Sequence, residues 1–265
     1  MMGVSWDAVM AAARARRAPV WWGIVNATPD SFSDGGRTAA EAVAWGRELV
    51  RAGAAALDVG GESTRPGWRP VHWRVEWRRL EPVLAGLRGT APLSVDTRKA
   101  SVLRRAEAAA GPVCANDVNG LAGRGVLSFA ASAPGPVVLM HGMAHRLRPG
   151  EPDPAGAVRD WFARRLDALA RAGIALSRVI LDPGIGFGTT RPQDVALLEG
   201  LDRFLSLGCV LAVGLSRKRV VRECLSRPGE SPDDASARAS LSAFRSGASL
   251  LRVHVVPEKR VDATF

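Results

Sequence analysis

The feature that most restricts what this chain can fold into is a repeated alternation. Eight short segments rich in Val, Ile, Leu or Ala recur along it: VWWGIVNAT (20–28), AAALDVGG (54–61), PLSVDT (92–97), VCANDV (113–118), PVVLMH (136–141), RVILDPG (178–184), VLAVGLS (210–216) and ASLLRVH (248–254). Between them lie stretches of helical period. The clearest are EAVAWGRELVRAG (41–53) and AVRDWFARRLDALARAG (157–173), each stopping at a glycine suited to end a helix. Short apolar runs of this kind read as strands buried on both faces, and strand–helix units repeated in series specify a parallel sheet. Eight such units fit an α/β fold, the closed (β/α)8 TIM barrel. An open doubly wound sheet is the rival, but no GxGxxG turn of the dinucleotide-binding kind is present. With no low-complexity linker and no sequence repeat, residues 1–265 read as one domain. Only VPEKRVDATF (256–265) follows the last segment, so the eighth helix is expected to be short or missing.

The segments share a second property. They finish in polar residues: Asn26, Asp58, Asp96, Asn116 with Asp117, His141, Asp182, Ser216, and Arg252 with His254. One such residue is ordinarily a helix cap or turn former. Nearly every strand ending the same way is different, because in a parallel barrel all those ends lie on the face where enzymes build their sites. The polar, turn-rich loop NATPDSFSDGG (26–36) after the first apolar run therefore reads as part of a site.

The bulk properties exclude several classes. Lys and Arg number 36 against 26 Asp and Glu, a formal charge of +10. The excess is Arg scattered along the helical stretches, without aromatic interleaving or a helix-turn-helix pattern, so a solvated basic surface is expected and nucleic acid is not the expected partner. No apolar run approaches the ~20 residues of a membrane span. The Ala- and Arg-rich N-terminus reads as a short amphipathic helix leading into the first strand. Three cysteines, Cys114, Cys209 and Cys224, have no CxxC spacing, which points to a reducing cytoplasm and against a disulfide framework.

Several stretches together resemble the dihydropteroate synthase family. GIVNATPDSFSDGG (23–36) is similar to its first catalytic loop and LDVGGESTRPG (57–67) to its second. SVDT (94–97), NDVNG (116–120), VLMH (138–141), LDPGIGFG (181–188), GLSRK (214–218) and RVH (252–254) follow in family order. The resemblance implies a (β/α)8 barrel that joins p-aminobenzoate to (7,8-dihydropterin-6-yl)methyl diphosphate, giving 7,8-dihydropteroate and pyrophosphate for folate synthesis. It implies Asp182 as the clamp on the pterin's 2-amino-4-oxo edge, with Asp96 and Asn116 completing that edge. Lys218 stands beside the ring's polar atoms and Arg252 can lie on its face. Asp34 matches the position that stabilises the developing methylene cation. Thr64 and Arg65 match the aminobenzoate pocket, with Phe187 and the Ser216–Lys218 turn along its floor. Arg252 and His254 fall near the phosphates, and Asn26 provides a ligand to Mg2+. Sulfonamide competition and a possible homodimer follow from the same resemblance.

The bland alternatives are turn glycines at 60, 61, 184, 186 and 188, a solvated Lys218, and surface positions for His72 and His145. The chain also departs from the family pattern. Thr189 replaces a Lys, Val255 replaces an Asp, and GMAHRLRPG follows VLMH. These departures and the short C-terminus leave open an alternative: a diverged relative that binds a pterin diphosphate but uses another amine or has lost synthase turnover.

Overall fold

A computed structural model of the chain describes residues 5–28, 38–63, 69–142 and 144–257. Eight parallel strands, each hydrogen-bonded to the next and the last to the first, close a barrel: β1 (Val20–Asn26), β2 (Ala56–Gly60), β3 (Leu93–Asp96), β4 (Cys114–Asp117), β5 (Val137–Met140), β6 (Val179–Asp182), β7 (Val210–Val213) and β8 (Leu250–Val253). Helix α1 (Trp6–Ala15) precedes β1. Helices α2 (Ala39–Arg51), α3 (Trp73–Leu87), α4 (Ala100–Ala110), α5 (Val126–Ser132), α6 (Pro154–Arg171), α7 (Arg191–Glu199) and α8 (Pro232–Arg245) join successive strands. The expected eight-unit TIM barrel is what forms. The helix expected to be short or missing after β8 falls on residues 256–265, of which 258–265 lie outside the described residues.

Local chemistry sets the helix ends. Thr38 and Glu41 cap each other's backbone at the start of α2, and Thr190 with Gln193 does the same for α7. At the other end of α2, Gly53 (φ +111°) donates to Val50 O at 3.0 Å and Ala54 to Leu49 O at 2.9 Å. Gly173 and Ile174 close α6 with the same pair of bonds, so both glycines do the terminating work their positions suggested.

Strand alternation divides the apolar residues into two cores. Leu57, Val59, Val95, Leu139, Leu181, Leu211 and Leu251 point outward against the helices. Trp22, Ala56, Cys114, Val138, Ile180, Val210 and Leu250 fill the barrel interior together with Trp6, Val9, Met10 and Ala13 of α1. The N-terminal helix does more than lead into β1; it lies across the floor of the barrel. Trp6 meets Trp22 edge-on at 6.2 Å, and its indole N–H donates to Leu93 O at 2.9 Å.

Candidate active site

The alternation that packs the floor with aliphatic side chains aims polar ones inward at the opposite mouth. In β2 the inward positions are Ala56, Asp58 and Gly60; in β3, Ser94 and Asp96. Asn116, Asp182 and Arg252 hold the matching places on β4, β6 and β8. Arg252 ties the group together: its Nε donates to Asp58 Oδ2 at 2.5 Å and its Nη2 to Asp96 Oδ2 at 3.1 Å. Asp58 is fully buried and also accepts the Ser94 hydroxyl at 2.6 Å and the Asn116 amide at 3.0 Å. That last bond fixes which end of the Asn116 amide faces its anchor.

Across the mouth, Asp182 Oδ1 accepts the Gly184 N–H at 2.8 Å. Lys218 Nζ donates to Ile185 O at 2.5 Å and stands 4.7 Å above the Phe187 ring. Ser216 Oγ lies 3.2 Å from the His254 N–H and 3.0 Å from its Nδ1, pinning that imidazole at the rim between β7 and β8. Asn26 ends β1 in register with Gly60, which is itself in register with Asp96.

Charge and burial perturb these groups together. Burial and the nearby Asp58 charge push Asp96 up to about 7, against the pull of Arg252. Burial also raises Asp182, opposed by Lys218. Lys218 is drawn down to about 8 by burial, with Asp182 holding it up and Arg252 pressing it lower. Burial works to lower Arg252, but Asp58 and Asp96 hold it above the usual arginine value. The mouth is thus a low-dielectric site with acceptors, donors and a pair of cations arranged around one opening. Such a site suits a flat heterocycle with both N–H and carbonyl edges.

Of the residues singled out from the sequence, Asp96, Asn116, Asp182, Phe187, Lys218, Arg252 and His254 line this mouth, with Asn26 at its edge. Asp34, Thr64 and Arg65 lie outside the described residues. Lys218 is half-buried and hydrogen-bonded, so the solvated-base reading fails. His72 keeps its surface position as the N-cap of α3, accepting from Arg74 N–H at 3.3 Å. His145 does not: its ring packs on Trp161 with centroids 4.8 Å apart, and burial lowers its pKa.

Two groups had no assigned role in the sequence reading. Asp58 was visible as a strand-terminal acid, and only the register reveals it as the anchor of Arg252 and Asn116. Glu62, the second, is buried within the GGEST stretch. It accepts the Val71 N–H at 2.8 Å and Lys99 Nζ at 2.7 Å and pairs with Arg98, while Lys99 reaches on to buried Glu76. One carboxylate thereby ties together the two sides of the 62–71 segment.

No cluster of three His, Cys, Asp or Glu side chains suited to a metal occurs among the described residues. No described helix is long and apolar enough to cross a membrane.

Comparison with known proteins agrees with this geometry. The sequence profile of the family described as pterin binding enzyme matches residues 22–254. The dihydropteroate synthase of Neisseria meningitidis serogroup C is 39% identical over 254 residues, covering 90% of this chain and 88% of that protein. Among solved structures, the dihydropteroate synthase of Xanthomonas albilineans with 4-aminobenzoic acid superimposes with a TM-score of 0.82 at 43% identity, covering 91% of this chain and 89% of that one. The Yersinia pestis dihydropteroate synthase in complex with a sulfonamide drug gives a TM-score of 0.81 at 36% identity, covering 90% and 89%. A barrel with this mouth, matched along nearly its whole length at these identities, belongs to the dihydropteroate synthase family of pterin-binding enzymes.

Proposed function

We propose that this chain joins p-aminobenzoate to (7,8-dihydropterin-6-yl)methyl diphosphate, releasing pyrophosphate and forming 7,8-dihydropteroate. The observation that carries this is the inward cluster on five strands, in which Arg252, Asp58, Asp96 and Asn116 form one bonded network facing Asp182 and Lys218. Asp182 has one oxygen engaged by Gly184. Its carboxylate can accept the 2-amino and ring N–H donors of a pterin, a charge-assisted pair worth about twice a neutral one. Asn116, oriented by Asp58, offers its remaining amide atoms to the ring, and Asp96 accepts beside it. The Lys218 ammonium borders the same space, above Phe187.

The reaction breaks the C–O bond to the diphosphate and forms a C–N bond, and the amine gives up a proton. Positive charge develops on the methylene carbon as pyrophosphate leaves. Asp34 takes the stabilising role by family resemblance, and Thr64 and Arg65 the aminobenzoate contacts. Arg252 on β8 and His254 just beyond it take the contacts to the departing anion by the same resemblance. The donor set suits Mg2+: this ion keeps several waters and takes few protein ligands, so the hard amide oxygen of Asn26 beside substrate phosphate oxygens is a fitting partner. When bound there, Mg2+ would offset the charge of the departing diphosphate. The free cysteines Cys114, Cys209 and Cys224 fit the expected cytoplasmic setting, and sedimentation of the purified protein tests the expected homodimer.

The deciding experiment incubates purified protein with the pterin diphosphate, p-aminobenzoate and Mg2+ and follows dihydropteroate by mass. Product should form, and a sulfonamide should raise the apparent KM for p-aminobenzoate at unchanged kcat. Tight pterin binding without product would instead favour the diverged relative that uses another amine, the reading to which Thr189 and Val255 lend themselves.

A further inference from the structure

The turn from β6 into α7 is fastened at both ends. On its outer side stands Asp194, fully buried in the first turn of α7 and given no part in the chemistry above. Its Oδ1 accepts the Gly186 N–H at 2.7 Å and the Thr189 hydroxyl, and its Oδ2 pairs with Arg191. Thr189 Oγ in turn lies 3.1 Å from the same Gly186 N–H, so hydroxyl and carboxylate share one backbone donor. On its inner side the turn offers the Ile185 carbonyl and the Phe187 ring to Lys218. The path between the two sides has little freedom. A Cβ on Gly184 would stand 1.6 Å from His141 O, and Gly186 holds a φ of +81°.

We propose that Asp194 and Thr189 act together as positioning residues for Lys218, setting through the Gly184–Gly188 turn where its ammonium stands at the barrel mouth. The assignment rests on the reading of Lys218 as part of the substrate site. It also gives Thr189 a task of its own. A hydroxyl can donate to Asp194 while accepting from Gly186, whereas a lysine ammonium has donors only and cannot complete that arrangement. The departure at 189 is then a different fastening of the same turn.

Three charged groups face Lys218. Asp182 from β6 and Asp194 from α7 favour its ammonium, and Arg252 from β8 opposes it. Loosening the turn withdraws the Ile185 carbonyl, which binds the ammonium more strongly than the neutral amine, and neutralising Asp194 removes a favourable charge. Either change pulls Lys218 further down from about 8.

The test uses the whole protein labelled with 13C at lysine Cε. The chain has only three lysines, Lys99, Lys218 and Lys259, and Lys218→Arg identifies the signal of interest. Thr189→Val and Asp194→Asn should each move the Lys218 midpoint to lower pH and shift the alkaline limb of kcat/KM for the pterin diphosphate the same way. Each should also lower that kcat/KM by about tenfold. Thr189→Ser, which keeps the hydroxyl, should titrate and turn over like the parent. Unmoved midpoints in both Thr189→Val and Asp194→Asn, or an equal loss in Thr189→Ser, would overturn the proposal. If Asp194→Asn does not fold, the Thr189 pair decides alone. The NMR midpoint needs no substrate, so a parent protein without turnover would refute the function while the midpoints still judge this inference.

Discussion

Replacing Asp58 by Asn keeps the size of the side chain and removes its charge. In the parent, Oδ1 accepts from Ser94 and Oδ2 from both Asn116 and Arg252. An amide has one acceptor, so either Ser94 or the Asn116–Arg252 pair must face an NH2 group. Losing a hydrogen bond to a charged partner costs about 1.5–3 kcal/mol, and stranding one member of a buried ion pair costs about 3–5 kcal/mol. The Arg252 side chain is 22% exposed and retains Asp96 at 3.1 Å, which places the expected loss near the lower figure, about 3 kcal/mol. For a chain of this size that corresponds to a fall in Tm of roughly 6–12 °C. The pH dependence supplies a second signature. Asp96 lies above its unfolded value, at about 7, so the stability it contributes is full below the unfolded pKa and is lost as pH rises through the folded one. Removing the Asp58 charge takes away one cause of that elevation. The decline in stability should therefore end at lower pH, and the acid limb of kcat/KM should move the same way. Thermal unfolding across pH 4–8, with the pH profile of turnover, reads both. A Tm within about 2 °C of the parent together with an unmoved acid limb would show that Arg252 does not depend on Asp58.

Glu62→Gln should destabilise the protein by about 1–3 kcal/mol at neutral pH in equilibrium denaturation. Burial opposes the Glu62 charge, but Lys99, the Val71 N–H and Arg98 hold its pKa below the ordinary value; the difference from the parent should vanish as pH falls through that lowered pKa. Trp6→Ala removes the edge-on contact with Trp22 and the bond to Leu93 O, and urea unfolding should show a loss of about 3–5 kcal/mol with kcat little changed. Asn26→Ala should raise the Mg2+ concentration for half-maximal turnover roughly tenfold in a metal titration; an unchanged requirement would remove Asn26 from the metal's surroundings.

The barrel was legible because its strands are short, apolar and regularly spaced, and because Gly53 and Gly173 end their helices by a local rule. Asp96, Asn116, Asp182 and Arg252 were legible as strand-end polar groups and through motif resemblance, and Lys218, two residues past the polar end of its segment, through the resemblance. Asp58 shared the first signal and lies inside the LDVGGESTRPG stretch, but the resemblance assigns it no role, and a lone Asp at a strand end is indistinguishable from a cap until register aims it inward. Glu62 and Lys99 are 37 positions apart, and no periodicity links them; only the adjacency of β2 and β3 brings them together. Thr189 looked like a loss because a motif records the residue type and not the hydrogen bond that replaces it. His145 looked like surface because nothing in its neighbourhood announces Trp161.

The helix across the barrel floor has a consequence for how the chain comes to be folded. Residues 6–15 are synthesised before any strand of the barrel, yet the ring of side chains they cover is contributed by strands as late as β8. During translation this helix has no cavity to enter, and its apolar face must wait, shielded or loosely associated, until Leu250 arrives. Closing the floor is therefore a late event that couples α1 to β8 across the whole length of the barrel sequence. A nascent or truncated chain stopping before β8 would present Trp6, Val9 and Met10 to solvent or to a chaperone.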